Sequence, residues 1–403
     1  MIARITHGEA RPSNPERLHT LTLTPFYPTE QDSSQGCFVA EPLAALAQVG
    51  VQSTVFAVEP IYRARSHANL CAPTAQWIRY LAIPGGVGLS SSGACVFARM
   101  AGMVRATDRK HRIDLIHAHA PLPCGHAAML LSRKLNIPYL VSVHGLDAFS
   151  TTQVSGKAGE WCRRISRQVY RNASRVICVS ERVREQVLEG TGGSCRTTVV
   201  YNGADPNLFA PALFAPALSA SPDSMTILSI GNLIPIKGHE LLILAASSLA
   251  SEFPSLCWEI IGDGPELPRL QSLANELRVA DRVRFLGRRS RTEVANALRR
   301  CTLFVLASRY EALGCVYLEA MATGKPVIGC RGQGIAEVIR HGQNGLLVGT
   351  DNERGLTLAI STLLRDEAVR SKMSIAARET ILDRFTVAHQ AENLARVYQE
   401  CMP

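Results

Sequence analysis

The chain of 403 residues contains no C-x-x-C pair, although it holds 12 cysteines. Cysteines scattered in this way argue against a zinc site and against a disulfide framework, and they fit a reducing cytoplasm. No uninterrupted apolar run reaches the ~18 residues that a membrane span needs. The opening MIARITHGEARPSNPERL lacks the apolar centre of a secretory signal. G-x-G-x-x-G is missing too, which leaves a nicotinamide dinucleotide site unsupported. Charged residues are only 19% against 46% apolar, the balance of a soluble α/β enzyme, and the length allows two or three domains.

Acidic residues are short in one half only. Residues 1–205 carry 22 Lys+Arg and 14 Asp+Glu, a net +8, while residues 206–403 carry 21 and 20, a net +1, together the +9 of the chain. No nucleic-acid-binding motif accompanies this excess, so nucleic acid is not the expected partner. An anionic membrane surface or a phosphate-bearing acceptor is. Arg164, Arg167, Arg171 and Arg175 recur at spacings of three and four in a helical stretch over 160–175. They form either a solvated face or a stripe for a membrane surface.

The richest stretch is SRYEALGCVYLEAMATGKPVIGCRGQGIAEVIRHGQNGLLV, residues 308–348. It follows an apolar run at 303–306 that reads as a buried parallel strand. A turn at 308–314, a helix over 316–322 stopped by Gly324 and Pro326, and a strand at 327–329 complete a doubly wound unit. Glu311 falls in the loop and Glu319 in the helix. Eight positions apart, they suit the two ends of one extended ligand rather than one small centre, at up to roughly 12 Å along the axis. Gly314, Cys315 and Val316 lie between them at the helix start, where free N–H groups attract a phosphate. Polar ends with a phosphate between them describe a nucleotide sugar.

The same residues resemble the signature of the family 4 glycosyltransferases, retaining enzymes of the GT-B fold. The signature is a Glu, seven residues, a second Glu, and then a small-Gly-x-Pro-Val turn. Here these are Glu311, Glu319 and Thr323-Gly324-Lys325-Pro326-Val327. GQGIAEVI and HGQNGLLV also match. The resemblance covers about residues 18 to 400, and its closest look is to bacterial cell-surface polysaccharide transferases, whose acceptors are often lipid-linked. It implies an α/β architecture of two Rossmann-like doubly wound domains facing across a cleft.

The expected organisation is an extension at 1–17, an acceptor-side domain at 18–206 and a linker at 207–224 carrying the tandem FAPALFAPAL. A nucleotide-sugar domain follows at 225–385, and a last helix at 386–403 crosses back to the first domain. Residues 60–95 read as loops around short elements. In the first domain, Gly36 matches the loop that meets the donor phosphates. A strand over 114–117 leads into HAHAPLPCGH. His117, His119 and His126 have no carboxylate or Cys at ligand spacing, so no metal is expected, and His119 is assigned to the acceptor side of the cleft. His144-Gly145 ends a buried strand over 138–143 and resembles the His-Gly that lies beside the donor sugar.

In the second domain, GNLIPIKGHELLI puts a Lys in a Gly-rich loop before a helix, a plausible diphosphate clamp. Lys237 matches the Lys of the family's loop, but Asn232 stands where many members have Arg. Either Asn232 donates a neutral hydrogen bond or another residue, with Arg309 as the candidate, supplies the charge. Gly262 and Gly264 match a Gly-x-Gly-Pro near the nucleotide.

The expected reaction moves a sugar from a nucleotide diphosphate sugar to an acceptor hydroxyl, such as a lipid-linked saccharide, with retention and with no cofactor or metal. Lys237 and the N–H groups at 314–316 would stabilise the leaving diphosphate. Glu311 would hold sugar hydroxyls and Glu319 the ribose. The location would be the cytoplasm at the inner membrane face. The rival is a non-catalytic nucleotide-sugar-binding subunit on the same fold.

Overall fold

The computed structural model describes residues 18–30, 32–63, 73–86, 88–149, 154–211 and 225–402. The 1–17 extension and most of the duplicated FAPAL segment lie outside them.

The first half runs β1 (Leu18–Thr24), α1 (Cys37–Gln48), β2 (Val51–Pro60), β3 (Ala75–Tyr80), α2 (Leu89–Lys110), β4 (Leu115–His119), α3 (His126–Leu135) and β5 (Tyr139–Val143). It continues with α4 (Gly156–Asn172), β6 (Arg175–Cys178), α5 (Glu181–Thr191) and β7 (Thr197–Val199). These strands form one parallel sheet in the order β3-β2-β1-β4-β5-β6-β7. Neighbouring residues of one strand enter different cores. Val55 and Leu115 meet Val39, Leu43 and Leu46 of α1, whereas Phe56 and Ile116 meet Val96, Met100 and Val104 of α2. Both faces are therefore covered, which is why β1 buries Thr20, Thr22 and Thr24 as fully as Leu21 and Leu23.

The second half runs β8 (Thr226–Ile230), α6 (His239–Leu249), β9 (Cys257–Ile261), α7 (Leu267–Glu276), β10 (Val283–Gly287), α8 (Arg291–Arg300) and β11 (Leu303–Val305). Then come α9 (Cys315–Ala322), β12 (Val327–Cys330), β13 (Leu346–Val348), α10 (Glu353–Arg365), α11 (Glu367–Arg384) and α12 (Val387–Glu400). The second sheet is also parallel, in the order β10-β9-β8-β11-β12-β13. The fold is α/β, two doubly wound domains facing across a cleft.

Thr386 starts α12 by accepting the His389 N–H at 3.2 Å. The helix then returns to the first half, where Leu394, Val397 and Tyr398 join the core of α1. Burial of each such side chain contributes about 1.5–3 kcal/mol. The Tyr398 hydroxyl lies 2.7 Å from His117 Nδ1, which fixes the register of this return.

The short elements expected within residues 60–95 include the edge strand β3, six residues paired along β2. Two expectations need correcting. β4 runs on to His119 instead of stopping at His117, so both histidines are strand residues on one face and His119 is the strand's last residue. Helix α4 stops at Asn172, and Ala173 is extended (φ −69°, ψ 142°). Arg175 opens β6 instead and pairs with Glu400 at 3.3 Å, so it leaves the arginine stripe. Two of the remaining three are occupied as well. Arg167 Nε donates to Gly190 O at 2.7 Å and Arg171 Nη2 to Thr191 O at 3.1 Å, where they cap the carbonyl end of α5.

Candidate active site

In the second sheet β8 and β11 are neighbours, and the order reverses between them. The loops leaving their carboxyl ends open a crevice there, the place where open α/β sheets bind ligands. These loops touch. The Arg309 N–H donates to Ile236 O at 2.8 Å. Gly238, at φ 65°, approaches so closely that a Cβ would fall 2.1 Å from Ala307 O. That approach carries Lys237 Nζ to 2.7 Å from Glu311 Oε2, with the two side chains only 19% and 11% exposed. Glu311 is braced further. Its N–H donates to Gln333 Oε1 at 2.9 Å, its carbonyl accepts the Gly334 N–H at 2.9 Å, and Ser308 Oγ donates to Oε2 at 3.3 Å. Gly334 is required here, since a Cβ would meet Ala312 O at 1.7 Å.

α9 begins beside this pair. Gly314 takes φ 90° and offers no side-chain cap, so the N–H groups of Cys315 and Val316 have no intrahelical partner. Burial, with Glu319 adding to it, pushes the Cys315 thiol up to about 12, so it stays neutral. Asn202 Nδ2 reaches it from the first half at 3.2 Å.

One turn further, Glu319 is 3% exposed. Arg291 Nη1 donates to its Oε1 at 2.5 Å, while Oε2 is buried without a partner. Arg291 also reaches Glu41 of α1 across the cleft, Nη2 at 2.7 Å and Nε at 3.0 Å from the same oxygen. Burial opposes the arginine's charge, but Glu319 and Glu41 hold its pKa above the usual value. Sequence reasoning missed both Arg291 and Glu41. They lie 28 and 278 positions from Glu319, and no local motif announces such a triad.

The glycines and Asn232 sort differently. Gly262 takes φ 144°, and a Cβ there would fall 1.9 Å from Gly231 O; at Gly264 it would fall 2.4 Å from Leu233 O. Both glycines press the loops after β8 and β9 together. Asn232 is exposed on the outer loop. Arg309 does not stand free to replace a missing cation. It is paired with Glu240 and, at 2.6 Å, with Asp351, and it donates to Pro235 O at 2.6 Å.

In the first sheet the order reverses between β1 and β4, and the loop after β1 ends at Gly36. Gly36 has φ 73°, and a Cβ would meet Phe26 C at 2.4 Å. The half-buried His144 stacks on His119 with ring centroids 5.2 Å apart and planes within 9°, Nε2 lying 3.0 Å from His119 Nδ1. Phe38 packs on it at 4.7 Å. Burial pushes His144 down to about 3 and His119 well below the usual imidazole value, so both are neutral near pH 7. His117 lies behind them, also held down to about 3 by burial, 2.7 Å from Ser142 Oγ. His119 Nε2 and His144 Nδ1 are buried without partners. No group of three metal-ligating side chains occurs among the described residues.

The halves are tied at both ends of the cleft. Arg288 Nη1 lies 2.7 Å from Asp32 Oδ2. The Glu337 carboxylate accepts the N–H groups of Glu181 and Arg182 at 2.8 and 2.9 Å, capping α5 from the other domain. Ser180, the N-cap of α5, also donates to Ala312 O at 2.5 Å.

Residues 38–208 match the model described as Glycosyltransferase Family 4, and residues 215–380 match Glycosyl transferases group 1. An uncharacterised glycosyltransferase of Methanocaldococcus jannaschii is 30% identical over 289 residues, 72% of this chain and 76% of that one. The D-inositol 3-phosphate glycosyltransferase of Corynebacterium urealyticum is 30% identical over 321 residues, 75% of each. Among solved structures, sucrose-phosphate synthase from Thermosynechococcus elongatus superposes with a TM-score of 0.76 at 22% identity, covering 95% of this chain and 99% of that one. Anabaena HepE in complex with UDP-glucose gives 0.74 at 21% identity, covering 95% and 100%.

Proposed function

The chain belongs to the family 4 glycosyltransferases of the GT-B fold, and from that premise we propose that it transfers a sugar, with retention, from a nucleotide diphosphate sugar to an acceptor hydroxyl. The observation that carries this reading is the Lys237–Glu311 pair set at the switch point of the second sheet, beside the open N-terminus of α9. A leaving diphosphate needs positive charge and oriented dipoles that are already in place. Lys237 supplies the charge, and the Cys315 and Val316 N–H groups supply the dipoles. Glu311 takes sugar hydroxyls, Glu319 takes ribose hydroxyls through its unpartnered Oε2, and Gly36 lets the first domain approach the phosphates. Neutral His144 contacts the sugar, with His119 on the acceptor side.

The diphosphate is held by protein groups without a metal. The acceptor is a lipid-linked saccharide of a bacterial surface polysaccharide or glycolipid, met at the inner face of the membrane. This last part is supported by the +8 of residues 1–205 and by the outer edge of the first sheet, where exposed Ile61 and Leu81 line one groove with Arg99, and exposed Tyr62 and Arg63 follow Ile61 in the chain. No helix among the described residues is long and apolar enough to cross a membrane.

The test is release of sugar from UDP- and GDP-sugars by the purified protein, with and without EDTA. Turnover that survives the chelator is the expected result. Binding without turnover would favour the non-catalytic subunit, and activity lost to EDTA and restored by magnesium or manganese would remove the metal-free clamp.

A further inference from the structure

We propose that Arg291 is a positioning residue that joins donor capture to closure of the cleft. This rests on Glu319 being the ribose ligand. The position of Arg291 is fixed by its helix. Ser290 caps α8 by accepting the Glu293 N–H at 3.3 Å, and the Glu293 carboxylate accepts the Ser290 N–H at 2.8 Å. Arg291 is the first residue inside this capping box, so its side chain leaves a rigid base.

Its guanidinium then meets three parts of the molecule. Nη1 holds Glu319 of the second domain, and Nε and Nη2 hold Glu41 of the first. The flat face lies 4.8 Å over the ring of Phe209, a fully buried residue at the start of the interdomain linker. Arg299, two turns along α8, donates to Leu208 O at 2.6 Å and Ala210 O at 3.0 Å, so this helix also grips the linker backbone. Arg291 thus touches the nucleotide end of the cleft, the opposing domain and the hinge.

The arrangement is short of one donor. Two carboxylates share a single guanidinium, Glu319 buried and Glu41 partly exposed, and Glu319 Oε2 has no partner. An unsatisfied buried carboxylate oxygen is costly. Burial raises the pKa of Glu41, and the nearby Glu319 raises it further, although Arg291 opposes both. Ribose hydroxyls donating to Glu319 would supply the missing donor and lessen its demand on Arg291. More of the guanidinium's field would then fall on Glu41, and the domains would be held together. Linkage makes the coupling reciprocal, so whatever holds Glu41 on Arg291 also tightens nucleotide binding.

The experiment measures binding of UDP and GDP by titration calorimetry, together with the radius of gyration by small-angle scattering with and without nucleotide. The proteins are wild type, Glu41→Gln, Arg291→Lys, Glu319→Gln and Glu41→Gln/Glu319→Gln. Glu41 does not touch the nucleotide in this reading, yet Glu41→Gln should weaken binding by about fivefold or more, the low end of usual coupling, and the bound protein should stay open. In the double variant the Glu41→Gln effect should vanish, so that it binds no worse than Glu319→Gln alone. Arg291→Lys keeps the charge without the fork and should fall between wild type and Glu41→Gln. The isosteric glutamines keep the fold, which melting curves verify. Wild-type affinity in Glu41→Gln, or effects that simply multiply in the double variant, would overturn the proposal while leaving the ribose reading intact. Unchanged affinity in Glu319→Gln, or no binding by wild type, would overturn the ribose reading and the proposal together.

Discussion

Replacing Lys237 by alanine tests the centre of the site. The ammonium lies 2.7 Å from Glu311 Oε2, and among the described residues the other donor on that oxygen is Ser308 Oγ at 3.3 Å. Removing one partner of a dry ion pair costs about 3–5 kcal/mol of stability. Lys237 is 19% exposed, so water recovers part of this, and a loss of about 2–3 kcal/mol is expected. The catalytic loss should be larger in kind. If Lys237 meets the leaving diphosphate, turnover falls by roughly two to three powers of ten, the scale for one preorganised charge-stabilising group. The two roles separate in a double-variant cycle. Were Lys237 only the orienter of Glu311, Lys237→Ala/Glu311→Gln would be no slower than Glu311→Gln alone. With a direct role on the diphosphate, the double variant loses at least about tenfold more. Initial rates of donor hydrolysis read this out, and thermal melts confirm folded protein. A loss under tenfold in folded Lys237→Ala would refute the clamp.

Glu319→Gln should raise the donor KM more than it lowers kcat, because its place is the ribose, away from the breaking bond; an unchanged KM would contradict that role. His117 and His144, each lowered from 6.5 to about 3 by burial, make stability depend on pH. Below about pH 6.5 the unfolded chain binds protons that the folded protein refuses until about pH 3, so stability is full above 6.5 and falls on acidification. At pH 5 the loss is about 2 kcal/mol per histidine, and equal urea midpoints at pH 7.5 and 5 would refute it. The protein should sediment with anionic vesicles at low salt and release as salt rises. Arg63→Gln/Arg99→Gln should weaken this by up to about 1 kcal/mol per arginine, and salt-indifferent binding would exclude the electrostatic part.

Much of the fold was legible in the chain because its signals are local. An apolar run such as 303–306, followed by a helix stopped by Gly324 and Pro326, marks a strand–helix–strand unit whatever lies elsewhere. Glu311, Glu319 and the glycine before Cys315 are spaced within one such unit, so their pattern survives in one dimension. Burial was less legible where both faces of a sheet are covered, as Thr20, Thr22 and Thr24 show, since their alternation with Leu21 and Leu23 looks half-exposed.

The pairings belong to the tertiary structure alone. Lys237 and Glu311 meet because β8 and β11 adjoin in the sheet and their loops press together at Gly238 and Ala307. Arg309, equally cationic in sequence, lies in the same crevice but is neutralised by Glu240 and Asp351. Arg175 kept the helical spacing of its stripe, yet strand pairing of its segment with β5, where it faces Leu140, and with Thr197–Val199 of β7 claimed it for β6. The triad of Arg291, Glu41 and Glu319 exists only once the two domains face each other. Residue identity and spacing determine which groups a chain can offer, but charge and hydrogen bonding act over a few ångströms. Which groups come within that range is decided by how sheets order their strands and domains close.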